Sequence, residues 1–389
     1  MIAYNSIQIC RCVMKEYPLV PLGTLISQAK KVRCGEEDYP VLSMTMHNGL
    51  IFQDKKFKKV IASQDRSNYK VVYRNQLVIS FPIDEGVLAA QRITDAGIVS
   101  PAYGIWDIDQ EKILPEFLEC ALRCERALNY YKSKLRGSTA RRRSLPTSTL
   151  LAFNVPLPSI SEQLNVLAIV HKLKSVIDTR KEEINVLDKL VKARFVEMFG
   201  TPYRNEKGFP MMTVDDIVEF IGGAQPDKKY FEYEATEDNI RLIQIRDYKT
   251  DNYVTYIPKS MAKRFCDVDD IMIGRYGPPI FQILKGIKGS YNVALMKAIP
   301  KAGNKEFIRY FLKQDCLFQY LDGLSQRTAG QSGIEMSALK TYPFPYPPIE
   351  LQEEFEKFAK QVDKSKVAVQ KALDETQLLF DSLMQEYFG

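Results

Sequence analysis

The feature that most restricts how this chain can fold is a run without glycine or proline that occurs twice, each time after nearly the same phrase. PLPSISEQ at 156–163 opens the first run, PYPPIELQ at 345–352 opens the second, and both runs close on Phe-Gly, at Gly200 and at Gly389. Laid Pro156 on Pro345 without a gap, the copies match at Pro158 and Pro347, Ile160 and Ile349, Gln163 and Gln352, Leu190 and Leu379, Glu197 and Glu386, and Phe199 and Phe388. Upstream, YPLVPLGTLIS from Tyr17 lies against FPMMTVDDIVE from Phe209. Self-similarity at this spacing means a duplicated architecture. The chain is two units, 17–200 and 209–389, each a variable globular part followed by a shared tail.

The tails are helices. Val166, Val170, Leu173, Ile177, Ile184, Leu187, Val191, Phe195 and Met198 recur at steps of three and four, and Phe355, Phe358, Val362, Val369, Leu373, Thr376, Phe380, Leu383 and Tyr387 do the same. That is a helix with one narrow apolar seam. Ser159 and Glu162 form a capping-box pattern at the first start, and Gly200 followed by Pro202 stops that helix. About 38 residues at 1.5 Å each extend about 57 Å, more than an ordinary domain needs. Such a seam requires a partner, and the nearest is its sister. The expectation is an antiparallel coiled coil carrying a globular domain toward each end, a dumbbell; the alternative is that each helix folds back on its own domain. The polar gap at Arg180 and Lys181 is expected opposite the one at Ser365 and Lys366, where the seam is thinnest.

The globular parts read as mixed α/β. YPVLSMTMHNGLIF, YKVVYRNQLVISFP and GIVSPAYGIWDI in the first unit, and IRLIQIRDY, YVTYIP, DIMIGRYG and YNVALMKAIP in the second, are rich in β-branched and aromatic residues and bounded by turn formers. Helical spacing returns over Pro115–Tyr131 and Glu306–Leu324. The fold class is α+β: a domain over 1–155, a spacer helix over 156–200, a second domain over 201–344 and a second spacer helix over 345–389.

Function classes narrow next. No apolar run approaches the ~20 residues that span a bilayer, and MIAYNSIQICRCVMKEY lacks a secretory leader's basic start and long apolar core, so a cytoplasmic location is expected. The seven cysteines are scattered and odd in number. Cys10 with Cys12 and Cys120 with Cys124 look like metal half-sites without a second pair, and no metal is expected. The net charge of +6 is mild, but the basic excess lies in the first 150 residues and the last 45 are acidic, which suits a polyanion at the front. No phosphate-binding glycine loop, dinucleotide fingerprint or nucleophile elbow occurs. Tyr276-Gly277-Pro278-Pro279 is near the polar-Pro-Pro-aromatic motif of amino methyltransferases, but Gly277 has no side-chain carbonyl to accept a hydrogen bond from the target amine. Binding without catalysis is the reading.

The duplicated tails ending in Phe-Gly, SNYKVVYRNQLVIS, GIVSPAY, RRRSL before the first tail and GQSGI before PFPYPPIELQ together resemble the specificity subunit of type I restriction-modification systems. The resemblance runs from about Tyr17 to Gly389, and order and duplication carry it more than any single motif. It implies two target recognition domains, each reading half of a split, asymmetric sequence of double-stranded DNA. It also implies helices that serve as a ruler and as the dock for two methyltransferase subunits, with restriction subunits joining later. S-adenosylmethionine, ATP and magnesium then belong to those partners, and this chain binds no cofactor. Readers on one face of a duplex sit about one turn apart, ~34 Å. A coiled-coil scaffold that binds protein without recognising DNA is the alternative.

Candidate DNA contacts follow from residue type. Arg141, Arg142 and Arg143 precede the first tail, and Gln331 with Ser332 precede the second; arginine pairs with guanine and glutamine with adenine in the major groove. Ser43, Thr45, Gln244 and Arg246 alternate with apolar residues on strands, and Asn68, Lys70, Arg74, Arg92, Tyr103, Arg275, Tyr276 and Tyr291 complete the set.

Overall fold

The computed structural model describes residues 17–46, 48–53, 66–135, 145–277, 279–325 and 333–389. These form two compact units: the described residues up to Arg180 together with Ala372–Gly389, and Lys181–Lys371. Both tails are single helices, Ile160–Phe199 and Ile349–Phe388, and each begins in one unit and ends in the other.

The repeated phrase is a joint. Leu19–Pro21 pairs antiparallel with Asn154–Pro156, and Met211–Thr213 pairs in the same way with Pro343–Pro345. One further bond extends each ladder, from Leu157 N to Pro18 O (2.9 Å) and from Tyr346 N to Pro210 O (2.8 Å). Proline ends the strand and sets the entry to the helix, where Ser159 and Glu162 close a capping box: Glu162 N donates to Ser159 Oγ (3.3 Å) and Ser159 N to Glu162 Oε2 (3.2 Å).

The repeated glutamine fastens this joint to the globular part. Gln163, fully buried, accepts from Leu114 N (2.8 Å) and donates to Lys112 O and Pro158 O (both 2.9 Å). Gln352, also fully buried, accepts from Asn304 N (2.8 Å) and donates to Pro347 O (2.7 Å). Leu114 and Asn304 are the N-caps of helices Pro115–Arg123 and Lys305–Leu312. One amide therefore ties two helix starts together in each unit, with its polar atoms satisfied in a buried place.

Each unit then receives the far end of the other tail. Phe388 packs on Phe117 with ring centroids 4.9 Å apart, in the core built on Leu22, Leu77, Trp106 and Tyr131. Phe199 lies 4.7 Å from Phe307 and 5.6 Å from Phe355 in the core of the second unit. The innermost residues at the tail ends are thus these phenylalanines, one position beyond the expected Met198 and Tyr387, which are only partly buried. Gly200 follows with φ +71°, the left-handed value that lets the chain leave the helix.

The helices run antiparallel: in the first unit Arg180 donates to Ala372 O and Thr376 Oγ1, and in the second Lys366 pairs with Asp188 and Arg194 with Glu354 (3.1 Å). The two polar gaps do not face each other as expected. Arg180 meets a threonine and a backbone carbonyl, and Lys366 meets a carboxylate, so each cation finds its own partner along the seam.

The units share a sheet plan. The first has strands Ile26–Gln28, Gly104–Ile108, Leu77–Ile79 and Leu88–Ala90 in that spatial order; the second has Val218–Gly222, Leu295–Pro300, Ile271–Gly274 and Gln282–Lys285. Beyond this frame they differ. The first adds hairpin Leu42–Thr45 with Gly49–Phe52 and the pair Lys70–Tyr73 with Ala96–Val99. The second adds a four-stranded sheet in which Asn239–Ile243 and Gly289–Tyr291 run parallel. The single helix expected in each globular part is two: Pro115–Arg123 and Glu125–Lys134, then Lys305–Leu312 and Asp315–Ser325. Cys124 stands between the first pair with ψ 161°, and its thiol (3.3 Å) and Arg126 Nε (3.0 Å) both donate to the carbonyl of Phe388. Among the described residues no helix is long and apolar enough to cross a membrane.

Candidate nucleic-acid interface

In the second unit the ends of several strands converge. Asn292 N donates to Ile243 O (3.0 Å), Arg275 N to Ala294 O (2.9 Å) and Ala224 N to Tyr291 O (3.2 Å). A Cβ on Gly274 would stand 2.9 Å from Ile245 Cδ1, and one on Gly223 1.9 Å from Asn292 O, so glycine is what lets these segments close up. The turn Gln244–Tyr248 is thereby set against Gly274, which Arg275 and Tyr276 follow in the chain.

On that turn Gln244 Nε2 (3.1 Å) and Arg246 Nη2 (3.0 Å) both donate to the buried Thr255 hydroxyl. The shared acceptor fixes two long side chains, and Arg246 remains exposed. Behind them Asp247, with its side chain fully buried, accepts from Gln244 N (3.1 Å) and lies 3.6 Å from Arg241 Nε. Burial pushes its carboxyl above the ordinary value despite the Gln244 amide and the arginines. Arg246 borders a cleft of about 470 Å³ whose other walls include Tyr233, Asn252, Tyr253 and Tyr256. Tyr233 is 74% and Tyr253 65% exposed. Exposed tyrosines beside a held arginine offer stacking faces and hydrogen-bonding tips together. Sequence reasoning passed over both tyrosines, although YFEYEATEDN and DYKTDNYVTY show aromatics interleaved with polar residues.

Arg275 stacks over Tyr276, 5.2 Å from its centroid, and Tyr276 bridges Gly333 in the backbone. Gln331 and Ser332 lie outside the described residues, as do Arg141, Arg142 and Arg143. Tyr291 is a different matter. It is 1% exposed, donates its hydroxyl to Ile221 O (3.2 Å), and belongs to the core with Ile243, Met272 and Leu295; it supports the edge and offers nothing to a ligand.

In the first unit Asn68 accepts from Arg33 (3.1 Å) and Lys70 donates to Tyr103 O (2.6 Å). Arg33 bridges Lys70, and burial followed by the nearby Lys31 charge lowers the Lys70 ammonium below its usual value. Asn68, Lys70 and Tyr103 thus share one basic edge, with the Tyr103 ring packed on the core of Leu42, Val72 and Val99. Ser43 is half-buried in the hairpin opposite Ile51. Thr45 is buried and serves its turn, donating to Gly49 O and accepting from Asn48 N (both 3.0 Å). Arg74 and Arg92 are committed elsewhere: Arg74 to Asp95 (2.9 Å) and Arg92 O (2.8 Å), Arg92 to Glu116 (2.7 Å). Glu116 also meets His171 Nε2 at 2.8 Å, so Arg92 braces the long helix against the globular part. Burial opposes the charge on Glu116, but hydrogen bonds from His171 and Arg92 hold its carboxyl below the ordinary value. Among the described residues no group of three or more histidine, cysteine or acidic side chains is arranged to hold a metal ion.

Fold and edge together define a class: a duplicated α+β protein with two antiparallel helices shared by two units, each unit carrying its own polar and aromatic edge. Residues 206–376 match the family of the type I restriction modification DNA specificity domain. Two solved structures share the fold. One is a chain from work on complex assembly and conformational transition of the type I R-M system, with 17% identity over 96% of this chain and 98% of that one and a TM-score of 0.56. The other is the S subunit of a type I restriction-modification system from M. genitalium, with 13% identity over 96% of each chain and a TM-score of 0.52. Most of the first unit lies outside the matched residues, yet it repeats the joint, the buried glutamine, the sheet order and the phenylalanine plug of the second.

Proposed function

We propose that this chain is the DNA-reading subunit of a type I restriction-modification complex, acting in the cytoplasm. Each unit reads one half of a split double-stranded target. The observation that carries this reading is a shared frame with unlike edges: sheet order and joint are repeated, whereas among the described residues Gln244, Arg246, Tyr233 and Tyr253 have no counterpart beside Asn68 and Lys70. Unlike edges on like frames imply unlike half-sites, hence an asymmetric target. The long helices carry two methyltransferase subunits, restriction subunits join the assembly, and those partners bring S-adenosylmethionine, ATP and magnesium. This chain contributes recognition and no catalytic step.

The test is to co-express the chain with the methyltransferase subunit from the same source and map methylated adenines in the host DNA. A single split, asymmetric motif is the expected result. Methylation that is absent, or unchanged when this chain is omitted, rejects the proposal.

A further inference from the structure

The second unit holds another cavity, of about 610 Å³, that shares no lining residue with the tyrosine cleft. Its walls come from helix Lys305–Leu312 with the residues just after it, from Lys285, and from stretches of both long helices. Three of its cations are matched by carboxylates: Lys192 by Asp315 (3.0 Å), Lys285 by Asp363 (3.4 Å) and Lys366 by Asp188. Two are not fully matched. Lys313 has no carboxylate within ion-pair distance among the described residues, and its ammonium sits 5.1 Å from the centre of the Tyr310 ring. Arg309 has a side chain only 3% exposed; its Nη2 serves Glu306 (3.3 Å) and Asp269 O (2.8 Å), while Nε and Nη1 have no hydrogen-bond partner.

Buried N–H donors are nearly always bonded, and a buried cation short of acceptors costs more than a neutral group in the same state. Nε and Nη1 are closed off from solvent, so what Arg309 gives this wall is positive charge that Glu306 only partly answers, and a negative group in the cavity is favoured. Tetrahedral oxyanions suit it, because one such group offers several acceptor oxygens to the three N–H donors of the Lys313 ammonium and carries the charge that Arg309 favours. The space exceeds a bare ion and falls in the range of small-ligand sites. Ile184, Val367 and the Tyr310 ring supply apolar wall beyond the cations.

We propose that this cavity is a binding site for a small phosphate-bearing ligand, its oxyanion held by the Lys313 ammonium against the charge of Arg309. Lys313 keeps solvent contact although protein mass surrounds it, and burial together with the Arg309 charge lowers its affinity for a proton. An arriving dianion reverses that strain.

The test is isothermal titration of the full-length chain with inorganic phosphate and with adenosine monophosphate, at fixed ionic strength set by chloride. Saturable binding is expected, weakened about tenfold or more by Lys313→Met, the loss of one charge-assisted hydrogen bond, and restored by Lys313→Arg. Equal affinities would assign the site to the free ion, and tighter nucleotide binding to a phosphate ester; either result supports the site. Heats that chloride alone reproduces, absence of saturable binding for both probes, or unaltered binding by a Lys313→Met chain with an unchanged urea midpoint would each overturn it.

Discussion

Replacing Gln163 by leucine tests the joint on which each unit is built. The substitution keeps the volume and removes three hydrogen bonds, so Leu114 N–H, Lys112 C=O and Pro158 C=O lose their partner in a place where Gln163 is 0% exposed. An unsatisfied buried polar group costs about 1–3 kcal/mol. The N–H has one bond to make and pays in full, whereas each carbonyl keeps a second lone pair. The sum is about 3 kcal/mol. With a urea m-value near 2 kcal/mol/M for a unit of this size, the midpoint falls by about 1.5 M. Trp106 is the single tryptophan and lies in the core of the first unit, so its fluorescence reports the unit that contains Gln163.

Gln163→Glu separates hydrogen bonding from packing. A carboxylate still accepts from Leu114 N–H but faces two carbonyl oxygens that the amide had served as donor. Protonation supplies one O–H, and because burial and the two carbonyls raise the carboxyl's pKa in the fold, the deficit should shrink as pH falls toward the unfolded value of about 4.3 and level off below it. A Gln163→Leu midpoint within about 0.3 M of the parent, or a Gln163→Glu deficit indifferent to pH, refutes the role given to this residue.

Other predictions follow from the same geometry. Phe388→Ala should cost about 3–5 kcal/mol, seen as an earlier Trp106 transition, because the ring fills the core beside Phe117; a loss under about 1 kcal/mol would mean that the end of the tail is merely laid on the unit. Glu116 has its pKa depressed in the fold, so its contribution is present above the unfolded value of about 4.3 and is lost as pH falls through the folded value. Glu116→Gln should therefore flatten the acid limb of the unfolding midpoint against pH, and parallel limbs would contradict the Arg92–Glu116–His171 brace. On the proposed function, Arg246→Ala should weaken binding of the assembled complex to its target by about 1–3 kcal/mol with the fold intact, and Tyr253→Ala by a similar amount. Titration of labelled duplex at several salt concentrations checks both, and affinities equal to the parent would remove the tyrosine cleft from the interface.

The helices were legible because their determinants are local: period, absence of glycine and proline, and a capping box all lie within a few residues. The role of Gln163 and Gln352 was visible only as a coincidence between copies. Their partners, Leu114 and Asn304, lie about fifty residues upstream, and no periodicity links a glutamine to a distant helix cap. The polar gaps illustrate the same limit. Arg180 and Lys366 were recognisable as breaks, but a shift along an antiparallel pair changes every partner and leaves the pattern of each helix untouched. At the candidate edge the ambiguity is chemical. Tyrosine and arginine pack cores and brace helices as readily as they meet ligands, so Tyr291 and Arg92 look like Tyr253 and Arg246 on paper. What separates them is whether the polar tip is already answered: Tyr291 by Ile221 O, Arg92 by Glu116, whereas the Tyr253 ring stands in solvent. Residue type nominates a contact, and the spare hydrogen-bonding capacity left after folding selects it.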